Sequence, residues 1–392
     1  MIMKKKIIKN DIIPPFFIYD YKIIKRQFID LRNKLPKNLK IYFSVKANPN
    51  SEILKIYKKI GAFCEVSSVG EIKKVLKAGF APCSILYTGV GKTEDDLKFS
   101  ISRKVGLIVA ESENEIKLIQ QITDKKKVNQ NILIRLQPRK SIKKSAKFSM
   151  SEGIQKFGIG EENIEASAQS AEGSKYISLL GFHLFSGSNI YKYEHILKNT
   201  EYFFNFVKKM ELKFSHSFPV IDIGGGLPVN YSIKKNIKFN LIEFVANLKK
   251  MIFKYGFVDK SIILETGRYL VAEAGCYYAQ VVDIKKSAQK KIVIINGGMT
   301  HLCRSALFEE YHDVEIVEKK KSEKIEDVII MGNLNAGIDI VTKARLPKLA
   351  IGDLLKINKT GAYGLTAGML MFSSHKLPGE YLLNRHGNII KI

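Results

Sequence analysis

Lys46 closes the stretch Tyr42-Phe43-Ser44-Val45-Lys46 and is followed by Ala47-Asn48-Pro49-Asn50. Ile41 to Val45 is a short apolar, β-favouring run, and Pro49 between two asparagines ends it. A lysine at the C-terminal end of a strand sits where α/β barrels collect their reactive groups. Held partly desolvated there, its amine becomes a nucleophile; the alternative is a strand-end lysine reaching solvent. Val220-Ile221-Asp222-Ile223-Gly224-Gly225-Gly226 runs a second strand into three glycines. Successive glycines let backbone N–H groups close around a phosphate, or simply make a flexible turn. Ile263-Leu264-Glu265-Thr266-Gly267-Arg268 ends a third strand in a carboxylate and a guanidinium. The arginine offers charged donors to an anion, or the two side chains form an ordinary salt bridge at a helix start.

The elements needed to place these groups alternate along the chain. Strand-like runs occur at Ile41-Val45, Ala62-Val66, Ser84-Thr88, Gly106-Ala110, Ile132-Leu136, Ser178-Leu184, Val220-Ile223 and Ile262-Glu265. Segments of helical spacing lie between them, as at Glu52-Ile60, Gly70-Ala78 and Glu113-Gln121. Eight such strands predict a parallel α/β sheet, and the count fits a closed (β/α)8 TIM-type barrel; an open doubly wound sheet is the alternative. From about Val281 short strands follow one another without long helices, which predicts a separate C-terminal β domain. The strand Phe16-Ile18 is expected to join it, making that domain discontinuous. The expected boundaries are 1–39 for the N-terminal strand and helix, 40–280 for the barrel and 281–392 for the β domain. The charged segment Glu318-Glu326 reads as a solvated loop.

A chain of 392 residues exceeds one ordinary core, consistent with two domains. Four cysteines without paired spacing (Cys64, Cys83, Cys276, Cys303) argue against a disulfide framework or zinc site, so no metal is expected. The net charge of +26 points at first to nucleic acid, but the lysines are spread over the whole length and no basic helix interleaved with aromatics appears. An anionic substrate or cofactor accounts for part of that charge. No apolar run is long enough for a membrane span, and Asn10, Asp11 and two prolines stand where a signal peptide needs its apolar core, so a cytoplasmic protein is expected.

Taken in order, these motifs resemble the ornithine/diaminopimelate/arginine decarboxylase family, fold-type III pyridoxal phosphate (PLP) enzymes with an alanine-racemase-like barrel. The resemblance runs from about residue 15 to 385. It implies that Lys46 forms the Schiff base with PLP and that Glu265 faces the pyridine nitrogen. Gly224, Gly225, Gly226, Gly267, Arg268, Ser188 and Tyr363 (in Gly361-Ala362-Tyr363-Gly364) would then form the phosphate site. Gly181-Phe182-His183-Leu184-Phe185-Ser186-Gly187-Ser188 matches the element with two alternating histidines. His183 keeps the first place; Phe185 holds the second, where a ring stacks on the cofactor. Glu65, Ser68 and the run Gln155-Lys156-Phe157-Gly158 are smaller correspondences. The family also implies a homodimer with shared active sites.

Two departures bear on the substrate. In Gly332-Asn333-Leu334-Asn335-Ala336-Gly337-Ile338-Asp339 the family's proton-returning cysteine is Asn335 and the adjacent acid is Ala336, while Asp339 is retained. Arg304, in a run resembling the carboxylate-reading segment of diaminopimelate decarboxylases, is kept together with Glu309. Phe372-Ser373-Ser374-His375 resembles the carrier-protein and siderophore-linked branch. The expected activity is therefore α-decarboxylation of a distally acylated diamino acid such as citryl-ornithine, a siderophore (rhizoferrin-like) precursor, with Arg304, Glu309, Asn335 and Asp339 at the substrate. The alternatives are a conventional diaminopimelate or ornithine decarboxylase, a racemase, which would need a second acid/base that Asn335 does not supply, and a catalytically inactive regulatory homologue.

Overall fold

The computed structural model describes residues 7, 10–139, 156–231, 239–308, 311–317 and 324–392. Two compact units result: Phe28–Pro228 with Lys238–Gly267, and Met1–Gln27 with Val229–Ile237 and Arg268–Ile392. The division falls within the helix Tyr21–Lys34 and again just after Gly267. The sequence boundaries at 39/40 and 280/281 therefore stand several residues away from those of the compact units. At the second boundary the next strand already begins at Gly275 and pairs within the other sheet.

Strand β1 (Phe16–Asp20) belongs to the second unit. The first unit contains β2 (Leu39–Ser44), β3 (Phe63–Val66), β4 (Ile85–Tyr87), β5 (Leu107–Ala110), β6 (Gln130–Gln137), β7 (Ile177–His183), β8 (Val220–Asp222) and β9 (Ser261–Glu265). Each pairs in parallel with the next, and β9 pairs with β2, so the sheet closes into an eight-stranded barrel. Closure decides between the two architectures open to the sequence. Helices such as Ser51–Lys59, Val69–Lys77, Glu113–Lys126, Tyr193–Phe214 and Leu241–Lys254 follow the strands.

The middle of β2, Ile41 to Phe43, shows why the strand reads as an apolar run. Tyr42 packs inside the barrel with Leu86, Leu107, Val109, Leu133, Val220 and Ile263. Its neighbour Phe43 points the other way and stacks on Tyr57 of the following helix, ring centroids 4.0 Å apart. Both faces are covered, as parallel strands require, and burial of each ring contributes about 2–3 kcal/mol. The turns that leave the strands end in capping residues. Asn50, Ser68, Thr93, Ser112 and Asn240 each accept a hydrogen bond from a first-turn N–H, worth about 1 kcal/mol apiece. Ser68 thus starts a helix, taking the N–H of Glu71 at 3.2 Å.

The second unit is a mostly antiparallel sheet. It adds β10 (Gly275–Ser287), β11 (Lys290–Ile295), β12 (Val314–Ile316), β13 (Ile325–Met331), β14 (Ile340–Pro347), β15 (Leu354–Ile357), β16 (Gly379–Leu383) and β17 (Ile389–Lys391). The order is β14-β13-β11-β10-β1-β16-β17, with β15 paired to both β10 and β12. The N-terminal strand β1 lies centrally, between β10 and β16. Three features depart from the sequence reading. A helix, Met299–Phe308, interrupts the strands, with Leu302 outside helical geometry. The edge strand β14 carries exposed Lys343 and Arg345, a polarity that hid it, although charges are a usual means of blunting an edge. Ile325 and Glu326, read as loop, open β13; positions 318–323 lie outside the described residues. Among the described residues no helix is long and apolar enough to cross a membrane.

Candidate active site

In the barrel unit the reactive side chains gather at the C-terminal ends of the strands. Lys46 lies in the 3-10 turn Val45–Ala47 directly after β2. Its Nζ sits 2.7 and 2.8 Å from the two carboxylate oxygens of Glu65, at the end of β3, and 3.4 Å from Ser67 Oγ. The lysine side chain is 43% exposed, whereas that of Glu65 is wholly buried, so the nucleophile is ion-paired rather than desolvated. Burial by itself would push the Glu65 carboxyl up. The charge of Lys46 and hydrogen bonds from Lys46, Thr88 and Ser44 outweigh it and hold the group below the usual carboxylate range. Gly267 lets the chain pass against this turn, since a Cβ there would lie 2.6 Å from Ala47 Cβ.

Further round the rim, two more buried ion pairs line the same end. Lys92 Nζ meets Glu115 at 2.9 Å, and Arg135 Nη1 meets Glu111 at 2.6 Å. Glu111 also accepts the N–H of Gly158 at 2.8 Å, which fastens the end of the Gln155–Gly158 run; Gln155 lies outside the described residues. The Arg135 guanidinium lies 4.6 Å from the ring centre of Phe157 and 5.7 Å from that of Phe185. Phe185 itself is 42% exposed, an open aromatic face over a fixed cation. Ser188 is exposed in the same loop.

His183, Asp222 and Glu265 end β7, β8 and β9 and are all but fully buried. Their ligating atoms lie within 4.8 Å of one another. Burial and then the positive charges of Arg135, Lys46 and Lys92 hold His183 well below its usual pKa, so the imidazole is neutral. Its Nε2 is 3.5 Å from Glu265 Oε1, too far for a firm hydrogen bond. Burial, followed by the neighbouring Asp222 and Glu65, pushes Glu265 well above the usual carboxylate range. Glu265 Oε1, Asp222 Oδ2 and both His183 nitrogens meet no hydrogen-bond partner among the described residues.

The glycine run after β8 is built for close approach. Gly224 and Gly226 take φ of +63° and +122°, which side chains disfavour. A Cβ on Gly225 would lie 2.3 Å from the Glu265 carbonyl oxygen. We expect Gly225→Ala to weaken PLP binding by at least about 10-fold while leaving the barrel folded, because the turn must shift away from β9. Fluorescence titration with PLP beside a circular-dichroism melt separates the two effects, and wild-type affinity in a folded variant would contradict it.

The sheet unit has its own arrangement. The Arg268 Nη1 donates to Tyr231 Oη at 2.5 Å, and its guanidinium stacks 4.8 Å from the ring centre of Tyr363. Arg304, on the helix Met299–Phe308, stacks on Tyr363 at 5.1 Å and on Phe308 at 4.7 Å. Tyr363 thus contacts two guanidiniums, from a backbone with φ of +54°. Asp339 is 1% exposed, and its oxygens accept the N–H groups of Met299 at 2.6 Å and Leu334 at 2.9 Å. It pins the loop Gly332–Ile338 to the start of that helix. Asn335 is exposed in the loop. Glu309 lies outside the described residues.

Sequence reasoning passed over Asp222, Glu111, Arg135 and Lys92. For Asp222, Glu111 and Arg135 the signal was a charged residue within or at the end of an otherwise apolar strand, as in Ile132-Leu133-Ile134-Arg135-Leu136; Lys92 stands in a loop and gave none.

A barrel whose strand ends present a lysine, buried carboxylate oxygens that meet no donor among the described residues and a tight glycine turn fits PLP. The glycine N–H groups suit a phosphate, and the acids suit a protonated ring nitrogen. Residues 21–272 match the family described as pyridoxal-dependent decarboxylase, pyridoxal binding domain, which is well over half of the chain. This chain belongs to that family: it is a PLP-dependent amino-acid decarboxylase, a carboxy-lyase. It is similar to diaminopimelate decarboxylase of Campylobacter jejuni, 29% identical over 93% of this chain and 89% of that one. It is also 29% identical to 2-[(L-alanin-3-ylcarbamoyl)methyl]-2-hydroxybutanedioate decarboxylase of Staphylococcus aureus, over 92% of each chain. The crystal structure of diaminopimelate decarboxylase from Helicobacter pylori complexed with L-lysine superposes with a TM-score of 0.89 at 27% identity, covering 98% of this chain and 94% of that one.

Proposed function

We propose that this enzyme removes the α-carboxylate of an L-amino acid whose distal amine is acylated by a carboxylate-bearing group, citryl-ornithine in siderophore biosynthesis being the type of compound meant. The observation that carries this reading is the loop Gly332–Asp339. Its one acid, Asp339, is consumed by backbone N–H groups, and Asn335 and Ala336 occupy the places beside it. A free distal ammonium would find no carboxylate there, and an unpaired ammonium is costly away from water. Arg304, braced by Tyr363 and Phe308, suits a carboxylate instead. The staphylococcal relative, named for an amino acid amide-linked to a hydroxybutanedioate, supports the same substrate class.

Bound PLP supplies an electron sink for the pair left behind when the Cα–carboxylate bond breaks. Lys46 is the residue to hold it covalently and to yield to the substrate amine. Glu265 holds the ring nitrogen, while Gly224, Gly225, Gly226, Ser188, Arg268 and Tyr363 hold the phosphate. Phe185 offers a stacking face, and neutral His183 adds no charge. Asn335 has no acid or base function near neutral pH, so the proton returned to Cα comes from Lys46, a water or another group. A homodimer sharing its sites is part of the proposal, in the cytoplasm. Exposed Leu307, Ile338, Met371 and Phe372 on the sheet unit support a second copy as their cover.

A conventional diaminopimelate decarboxylase is the second reading, favoured by the Campylobacter and Helicobacter similarities. Mass spectrometry of the products from free and acylated diamino acids decides between them. Arg304→Ala is expected to raise KM for an acylated, carboxylate-bearing substrate by about 10- to 100-fold, the loss of a charge-assisted hydrogen bond, and to change that for free ornithine far less. A higher kcat/KM for diaminopimelate or ornithine than for every acylated compound would establish the second reading.

A further inference from the structure

We propose that Asp222 is a positioning residue of the cofactor site: as the neutral acid it donates to Glu265 and accepts from Gly224, tying the carboxylate after β9 to the glycine turn after β8. The connection closes a ring of three contacts. Gly224 N–H donates to Asp222 Oδ1 at 2.9 Å, and Glu265 N–H donates to the Gly224 carbonyl at 2.8 Å. On the third side a carboxylate oxygen of Asp222 lies within 4.8 Å of one of Glu265. Asp222 Oδ2, the oxygen left after Gly224 takes Oδ1, and Glu265 Oε1 find no other donor among the described residues. Two carboxylates facing one another repel; with one proton between them they form a short, strong hydrogen bond.

The surrounding charges leave that proton in place. Lys46 is held by Glu65, Arg135 by Glu111 and Lys92 by Glu115, so each nearby cation has its own carboxylate. His183 is neutral, and Tyr42, whose phenol burial pushes up, adds no positive charge. A single cation arriving at Glu265 balances one carboxylate and leaves the second to stay protonated. Burial raises both acids, Asp222 to about 8 and Glu265 well above the usual carboxylate range. A positive ring nitrogen beside Glu265, which this inference takes from the reading above, favours the carboxylate there and sends the proton to Asp222.

Asp222→Asn keeps both contacts, with an amide N–H toward Glu265 and a carbonyl for Gly224; Asp222→Ala removes both. The full chain is titrated with PLP, and the PLP-free chain is melted from pH 5 to 8. We expect the Asn variant to bind PLP within about 3-fold of wild type and the Ala variant at least about 10-fold more weakly. An acid whose folded pKa exceeds its unfolded one makes the folded state bind more protons, so stability falls as pH rises between the two values. The Asn variant lacks this site, so its Tm should exceed that of wild type at pH 8, by about 2 °C or more, with the gap closing toward pH 5. Equal PLP affinities for the two variants, high or low, would overturn the proposal, as would a wild-type pH slope in the Asn variant. The melts contain neither substrate nor cofactor, so they read Asp222 even if the substrate proposed above is wrong.

Discussion

Replacing Lys46 by alanine is expected to produce the largest loss of any single change, a fall in kcat of at least about 1,000-fold, or about 4 kcal/mol in barrier. Borohydride treatment of the wild-type protein should bleach its visible absorbance and leave a pyridoxyl mass on the peptide carrying Lys46. The Ala variant should lose that tag while still binding PLP through the remaining contacts. The substitution also strands Glu65, which is wholly buried and receives both of its shortest charged contacts from Lys46. Burial then stands opposed by the hydrogen bonds from Thr88, Ser44 and Ser67 without the lysine's charge, so the Glu65 carboxyl rises from its depressed value. Stability of the variant should accordingly drop most at high pH, where the unpaired carboxylate is forced to ionise. A tag on another lysine, or full turnover in the variant, would remove Lys46 from the proposed role.

The second large effect is expected at Glu265. It is the acid at the end of β9, 5% exposed, with an oxygen that meets no donor among the described residues. Glu265→Ala removes the anion next to which a ring nitrogen keeps its proton, and kcat should fall about 10²- to 10³-fold, typical for loss of one preorganised electrostatic contact. PLP should remain attached to Lys46, so the borohydride tag persists while turnover collapses. That split, tag kept and rate lost, is what separates Glu265 from Lys46. Glu265→Ala also relieves Asp222 of its partner, so a variant that turns over at the wild-type rate would undo the roles proposed for both acids.

Much of the barrel was legible because its strands obey one simple rule. A parallel strand covered on both faces must be apolar at every position, and the helices between must carry a 3.6-residue spacing. Ile41 to Val45 and Ile262 to Glu265 announce themselves in that way, and polar residues at their ends mark the rim. The β domain was harder. Its edge strand β14 alternates charge with burial, and the helix Met299–Phe308 is broken at Leu302, so neither gives a clean period.

By itself the sequence determined which residue types stand at the ends of the strands: Lys46 after β2, the three glycines after β8, Glu265 after β9. Local pattern suffices for that, since strand ends are set by where apolar runs stop. Only the tertiary structure decided what those groups do to one another. Parallel pairing sets β3 beside β2 and β9 beside β8, across separations of about 20 to 40 residues that no short-range pattern records. It thereby pairs Lys46 with Glu65 and buries Asp222 against Glu265. The fold likewise makes Asp339 the pin of its own loop, because two backbone N–H groups donate to its oxygens. Protonation and pairing depend on burial and distance, and those exist only once the sheet has closed.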